Sequence, residues 1–95
     1  MSQVFAIARP VGQDGSVLTV RYFAAARAAA GVAEENATAP TLAALRQSLA
    51  AARGQRLEQV LGSASFLVDG LAWHDPEAPL PAACTVDVLP PFAGG

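Results

Sequence analysis

The sequence contains no lysine, because its six basic residues are all arginine. The chain therefore offers no lysine side-chain amine for an isopeptide bond to another copy of itself. Only 15% of the residues are charged and the formal net charge is -2, so the chain also lacks the basic field that attracts nucleic acid. We predict no nucleic-acid partner.

Cysteine is nearly absent as well. Cys84 is the single cysteine, which excludes an intramolecular disulfide and every CxxC-type metal or redox site. A lone cysteine suits a reducing compartment, and we expect a buried, inert thiol. His74 and Asp75 have no second histidine or cysteine to complete a metal-ligand set, so we predict no metal site.

Long apolar runs are missing too. None approaches the roughly 20 residues of a membrane helix. The apolar run near the N-terminus is too short for a signal peptide, and its arginine follows the run instead of preceding it. We therefore predict a cytoplasmic protein with no membrane partner.

The length and composition fit one small domain, with 95 residues of which 53% are hydrophobic. Residues 1-15 form an N-terminal extension, because the GQDG sequence at 12-15 is typical of a turn. Two interpretations of this extension stay open, disorder or an additional edge strand. Residues 16-89 form the folded domain, and residues 90-95 form an extended tail.

The first half of the domain predicts a strand, a short helix and a second strand. Residues 17-23 alternate, with Leu18, Val20 and Tyr22 on one face and Thr19, Arg21 and Phe23 on the other. An alanine-rich helix follows and ends at Gly31, which favours a left-handed cap. Residues 32-40 are a weaker strand prediction that rests on their position between stronger elements.

A longer helix is predicted after Pro40, with Thr41 as its N-cap and Gly54 at its end. Arg46 and Arg53 are expected to face water. The expected apolar stripe consists of Leu42, Leu45, Leu49 and Ala52. One or two further helical turns follow before Gly62, where we expect an interruption.

The last third of the domain predicts a hairpin, a loop and a final strand. Asp69-Gly70 is a dipeptide typical of a two-residue hairpin turn. Residues 74-83 are expected to be a loop. The final strand at 85-89 alternates, with Val86 and Val88 inward and Thr85, Asp87 and Leu89 outward.

This element order predicts an α+β fold in which a mixed sheet carries one long helix across one face. The first and last strands are the most regular, so we place them side by side at the centre. If they run parallel, Phe23 and Leu89 lie at the same end of the sheet on its helix-free face. That arrangement predicts a small apolar patch beside the root of the tail.

The tail reads LPPFAGG from Leu89 to Gly95. Two consecutive terminal glycines arise by chance in roughly 0.5% of chains, since glycine is about 7% of average sequence. Pro90 and Pro91 stiffen an extended path, and the six residues from Pro90 can reach up to roughly 20 Å. Gly94 and Gly95 have no side chains, so they fit a narrow channel.

The terminal carboxylate of Gly95 is the reactive group that the tail presents. A carboxylate becomes an acyl donor once ATP adenylates it, and sulfur or nitrogen can then attack the acyl carbon. The tail therefore favours a carrier or modifier, with a flexible end of no function as the alternative. Ser63 and Ser65 have no nearby histidine base, and no conventional catalytic constellation is present, so we expect no catalysis by the chain alone.

Several segments together carry a resemblance to a known family. They are LTVRYFA at 18-24, PTLAALRQSL at 40-49, FLVDG at 66-70 and VDVLPPFAGG at 86-95. The chain resembles the ubiquitin-like sulfur carriers of the MoaD/ThiS family over residues 17-95, and within it the small subunits of molybdopterin synthase. The resemblance implies a ubiquitin-like β-grasp fold.

The resemblance also implies a function. A ubiquitin-activating-enzyme-like adenylyltransferase would consume ATP to adenylate Gly95, and a sulfurtransferase donor would supply sulfur for a C-terminal thiocarboxylate. The MoaE-like large subunit of molybdopterin synthase would receive the tail and pass the sulfur to cyclic pyranopterin monophosphate. No cofactor would be bound by the carrier itself. The implied docking residues are Phe23, Leu89, Pro90, Pro91, Phe92 and Ala93, and Gly94 and Gly95 would enter the active site.

Other functions stay open at the level of sequence. The same chemistry could serve thiamin or cysteine synthesis, and the fold could serve as a protein modifier or a non-covalent interaction domain. The chain also departs from its relatives at two turns, with Ala83-Cys84 where they often have Gly-Asp and Asp69-Gly70 where they commonly have Asn-Gly. The turn at Ala83 is therefore expected to differ.

Overall fold

The computed structural model describes residues 17-91, which form five strands and three helices. The predictions for residues 1-15 and for Phe92 to Gly95 lie outside the described residues. The elements in chain order are β1 (Leu18–Tyr22), α1 (Ala25–Ala30), β2 (Glu34–Ala37), α2 (Leu42–Arg53), α3 (Gln55–Ser63), β3 (Ser65–Val68), β4 (Leu71–Ala72) and β5 (Thr85–Leu89).

The five strands form one mixed sheet in the order β2-β1-β5-β3-β4. β1 and β5 run parallel, and every other neighbouring pair is antiparallel. The first and last strands of the domain therefore occupy adjacent, inner positions. The predicted α+β class and the central placement of these two strands are confirmed.

The alternation of β1 and β5 positions the core. The side chains of Leu18, Val20, Val86 and Val88 are fully buried on the face that the helices cover. Tyr22 shares that face and is 2% exposed. Complete burial of an aliphatic side chain stabilises a fold by about 1.5–3 kcal/mol, so these two strands contribute much of the hydrophobic stabilisation.

The helices supply the other side of the core. Their buried residues are Ala26 and Ala30 of α1, Leu42, Leu45 and Leu49 of α2, and Leu57 and Leu61 of α3. The loop between β4 and β5 adds Leu80, which is fully buried and whose backbone N–H donates to the carbonyl of Pro40 at 2.9 Å. No helix within residues 17–91 is long and apolar enough to cross a membrane.

The predicted helix ends at Thr41, Gly54 and Gly31 are confirmed. Thr41 Oγ1 accepts a hydrogen bond from the backbone N–H of Ala44 at 3.1 Å, which is the expected N-cap of α2. Gly31 ends α1 in the left-handed region at φ 83°. The interruption predicted at Gly62 is wrong, because α3 continues through Gly62 to Ser63. A glycine costs a helix about 1 kcal/mol, and the burial of Leu57 and Leu61 outweighs that cost.

The predicted hairpin joins β3 and β4 through Asp69 and Gly70, which have φ values of 49° and 85°. Positive φ at both positions is the signature of a type I′ turn. The Asp69 carboxylate also accepts from the backbone N–H of Thr85 at 2.9 Å, which ties the turn to the start of β5. At the other turn that departs from the relatives, Ala83 adopts a positive φ of 54°.

One polar network joins β1, β2 and two helices beneath the sheet. Tyr22 donates its hydroxyl hydrogen to the carboxylate of Glu35. The Arg53 guanidinium donates to both oxygens of the same carboxylate, at 3.0 and 2.7 Å, and to the carbonyl of Ala30 at 3.1 Å. The prediction that Arg53 faces water is therefore wrong, since its side chain is only 28% exposed.

The apolar stripe of α2 is correspondingly shorter than predicted. Ala52 is exposed, whereas Arg53 lies on the covered side and Arg46 is half-buried. Position 53 follows Leu42 by about three helical turns and so lies almost directly above it, while position 52 is rotated away by roughly 80°. The helical period itself places the arginine on the stripe.

The network makes the stability depend on pH. Hydrogen bonding from Arg53 lowers the pKa of Glu35, with a further contribution from Tyr22, whereas burial and the Glu35 hydrogen bond raise the pKa of Tyr22. A carboxyl group whose pKa is lower in the folded state than in the unfolded state stabilises the fold. The full stabilisation is present above the unfolded-state pKa, which is about 4.3 for glutamate. That stabilisation is lost as the pH falls through the lower pKa of folded Glu35.

We therefore predict that Glu35→Gln reduces the fall in stability on acidification below about pH 4.3. Urea unfolding at a series of pH values measures this slope. Glu58→Gln, which removes an exposed glutamate of α3, is the matched control and should retain the slope of the parent chain. If the stability of Glu35→Gln and of the parent chain fell equally with pH, the lowered pKa of Glu35 would be contradicted.

Candidate functional site

The parallel pairing of β1 and β5 brings Phe23 and Leu89 to one end of the sheet. Tyr22 is opposite Val88 in the register, and the backbone N–H of Phe23 donates to the carbonyl of Val88 at 3.2 Å. Because Tyr22 and Val88 point into the core, the next residue of each strand points to the opposite face. Ser65 of β3 pairs with Leu89 on its other side.

These residues line an open groove of about 540 Å³ at the end of the sheet. Phe23 is 39% exposed as a whole residue, and Leu89 is half-buried. The complete lining is Phe23, Ala24, Ala25, Ser65, Leu89, Pro90 and Pro91, of which only Ser65 has a polar side chain. The apolar patch predicted at the root of the tail is therefore present.

An ion pair lies directly beside the groove on the same face of the sheet. Arg21 Nε donates to Asp87 Oδ1 at 2.7 Å, and Nη2 donates to Oδ2 at 3.1 Å. The pKa of Arg21 is raised, first by the hydrogen bond to Asp87 and then by the charge of that carboxylate. The sequence predicts that Asp87 points outward. It does lie on that face, but it is only 7% exposed, and both its carboxylate oxygens accept hydrogen bonds from Arg21.

Ala24 forms the sharp turn that carries the chain from β1 into α1. Its backbone has φ 51° and ψ -124°, and the N–H of Ala26 donates to the carbonyl of Phe23 at 3.0 Å. This is a type II′ turn with Ala24 at its first central position, where glycine is strongly preferred. An alanine side chain there is strained, and it forms part of the groove wall.

The tail leaves the fold from the groove. Pro90 is half-buried and Pro91 is exposed at the groove's edge. Phe92, Ala93, Gly94 and Gly95 lie outside the described residues, so their roles stay predictions. The structure thus brings together four of the six predicted docking residues.

The alternative positions for chemistry do not form a site within residues 17–91. Cys84 is 1% exposed, and burial raises the pKa of its thiol, with a further contribution from the charge of Asp69. This matches the expected inert thiol, because the thiolate is the reactive form. No group of three potential metal ligands occurs among the described residues.

Three groove residues were not predicted from the sequence, namely Ala24, Ala25 and Ser65. Ser65 reaches the groove because β3 pairs with β5 in a register that places it beside Leu89. Strand order is needed for that assignment. Ala24 and Ala25 follow Phe23 directly, so their proximity was available from the sequence, but nothing in an alanine run distinguishes a groove wall from ordinary helix.

The strand order and the groove define a ubiquitin-like β-grasp protein, and solved structures share the fold. Small archaeal modifier protein 1 of Methanosarcina acetivorans has a TM-score of 0.73 at 24% identity, over 84% of this chain and 97% of that one. A chain in the complex of subunits 1 and 2 of molybdopterin-converting factor from Helicobacter pylori has a TM-score of 0.62 at 23% identity. The match covers 83% of this chain and 99% of that one. The HVO 2177 protein of Haloferax volcanii has a TM-score of 0.70 at 27% identity, over 84% and 87%.

The chain belongs to the ThiS family, whose model matches residues 20–95. The match includes both the described domain from Val20 onward and the whole of the tail. It confirms the resemblance to the MoaD/ThiS sulfur carriers. No curated protein sequence matches the chain.

We predict that Ala24→Gly stabilises the domain by about 0.5–1 kcal/mol, because relief of the strained turn exceeds the added entropy of the unfolded chain. Thermal or urea unfolding measures the change. Ala28→Gly, at an exposed position inside α1, is the matched control and should destabilise by a similar amount. A destabilised Ala24→Gly variant would show that the strain of the turn is smaller than the entropy cost of the added glycine.

Proposed function

We propose that this protein is the sulfur-carrier subunit of a molybdopterin synthase. Its C-terminal carboxylate is converted to a thiocarboxylate, which donates sulfur to cyclic pyranopterin monophosphate in molybdenum cofactor synthesis. The observation that carries the proposal is the apolar groove at the root of a diglycine tail in a ThiS-family chain. In this proposal the β-grasp domain provides the surface that partner enzymes bind.

The proposed chemistry proceeds in two steps at Gly95. A carboxylate oxygen attacks the α-phosphorus of ATP, and pyrophosphate leaves. A sulfide equivalent from a sulfurtransferase donor then attacks the acyl carbon, and AMP leaves with the electron pair of the broken C–O bond. An adenylating partner enzyme supplies the ATP site, and the carrier supplies the acyl group. The buried Cys84 takes no part, since its sulfur is enclosed by the core.

The proposed docking mode uses the groove and the tail together. Phe23, Leu89 and the two prolines pack against the large subunit, with Phe92 and Ala93 continuing the contact. Gly94 and Gly95 then enter the active site of that subunit. The likeness to a Helicobacter pylori structure described as a complex of subunits 1 and 2 of molybdopterin-converting factor supports this partner.

A second candidate function is protein modification, favoured by the likeness to the small archaeal modifier protein of Methanosarcina acetivorans. The same adenylated Gly95 would then be attacked by a lysine amine of another protein. Recovery of Gly95 in an isopeptide bond would support this function. A sulfur carrier for thiamin or cysteine synthesis would share the thiocarboxylate and differ only in the acceptor.

We expect the C-terminal peptide to gain sulfur when the protein is incubated with the adenylating enzyme, ATP and a sulfur donor. Mass spectrometry of that peptide measures the gain and separates it from oxidation of Met1, which adds almost the same nominal mass. A chain lacking Gly95 is the control and should remain unmodified. An unmodified parent peptide, with an enzyme active on another carrier, would contradict the proposal. Transfer to cyclic pyranopterin monophosphate on adding the large subunit identifies the pathway.

We also expect Phe23→Asp and Leu89→Asp to weaken binding of the large subunit by about 2 kcal/mol or more, which is roughly thirtyfold in Kd. The reason is that each change places a charge in the apolar groove. Isothermal titration calorimetry measures the affinity, and circular dichroism checks the fold.

Leu71→Asp is the matched control for these two variants. Leu71 is 68% exposed and pairs with Val68. Val68 is the last residue of β3, whereas Ser65, which lines the groove, is the first. Its substitution adds the same charge away from the groove, so binding should be unchanged. Equal affinities for all three variants would exclude the groove as the docking surface.

A further inference from the structure

We propose that Arg21 is a positioning residue that fixes the ring of Phe23 at the edge of the groove, with Asp87 as the anchor of the guanidinium. The part of this inference that concerns docking rests on the proposed function. The part that concerns the orientation of the ring does not depend on any partner.

The anchor consists of two hydrogen bonds between neighbouring strands. Arg21 and Asp87 are paired in the parallel register of β1 and β5. Their two contacts of 2.7 and 3.1 Å use Nε and Nη2 of the guanidinium and both carboxylate oxygens. A two-point contact fixes the plane of the guanidinium as well as its position, which a single charge contact does not.

The fixed guanidinium lies over the aromatic ring. Arg21 Cζ is 5.7 Å from the centroid of the Phe23 ring, within the roughly 6 Å range of a cation–π contact. Phe23 follows the last residue of β1 and comes two positions after Arg21, so the two side chains lie on the same face of the sheet. Phe23 therefore both contacts the guanidinium and lines the groove.

The surroundings of Arg21 keep the anchor in place. Asp87 has a side chain that is 11% exposed, so Asp87 cannot easily turn to water, while the Arg21 side chain is 47% exposed. Glu34 of β2 pairs with Arg21 on the opposite side and adds a second negative charge. The charged groups that face Arg21 from both neighbouring strands are thus acidic.

Fixing the ring has a consequence for docking. An exposed aromatic ring at a strand end has several accessible rotamers, and a partner that binds one of them must remove the others. Contact with Arg21 favours one of them before binding, by about two- to fivefold. Part of the cost of ordering Phe23 is therefore met within the folded domain.

The first test measures the ring directly in the parent protein by NMR. The ring current of Phe23 should shift the Arg21 δ protons upfield, and the shift should disappear in Phe23→Leu. The hydrogen-bonded Arg21 Nε–H should exchange slowly with solvent and give a resolved signal. Arginine δ protons that are the same in both proteins would overturn the proposal.

The second test removes the anchor without leaving a buried charge. In the paired variant Arg21→Thr with Asp87→Thr, both partners become strand-forming residues, so the domain should remain folded. Carbon-13 relaxation of the Phe23 ring should show greater mobility in this variant than in the parent. Arg46→Gln, which removes a half-buried arginine of α2, is the control and should leave the ring unchanged. A ring equally ordered in all three proteins would overturn the proposal.

The third test is a double-mutant cycle on the affinity for the large subunit. Removing the anchor should weaken binding about two- to fivefold when Phe23 is present, the range of an exposed cation–π contact. It should have no further effect in a Phe23→Ala background. Equal losses in both backgrounds would overturn the docking role. If the parent chain does not bind the large subunit, the proposed function fails, and the two NMR measurements still decide the positioning of the ring.

Discussion

The parallel pairing of β1 and β5 is the constraint on which the rest of the structure depends. It places the first and last strands of the described domain side by side in the middle of one sheet, and both strands finish at the same end of the sheet. The inward residues of the two strands then form the floor of the core. At that end, Phe23 and Leu89 point to the opposite face and line the groove, and the tail starts beside them. The position of the groove thus follows from the strand register.

Much of the fold could be predicted from local patterns, because strand alternation, caps and turn residues act over a few positions. Thr41, Gly31 and Asp69-Gly70 behave as their residue types indicate. The predictions that were wrong concern charged or flexible residues in tertiary surroundings. Charge alone assigns Arg53 to water, but its helical position places it over the core, where the Glu35 carboxylate and the Ala30 carbonyl accept its hydrogen bonds. Gly62 remains helical because Leu57 and Leu61 of the same helix are buried in the core.

The candidate site was predictable in part for the same reason. Phe23 and Leu89 are apolar residues on otherwise polar strand faces, and this contrast is visible in a single strand. Ser65 becomes part of the groove only through the order and register of the sheet. The contact of Asp87 with Arg21 likewise requires the pairing of strands 66 positions apart. Sequence alone indicated the surface, whereas the ion pair beside it depends on tertiary structure.

The central position of β5 also determines how the domain responds to mechanical load. A pull on the tail is transmitted to β5, which is hydrogen-bonded on both sides, to β1 and to β3. A load along the strand axis shears both ladders, so the hydrogen bonds of two ladders resist it together, whereas an edge strand is held by one ladder only. Under the proposed function, the sheet would therefore stay intact while a partner pulls on the tail.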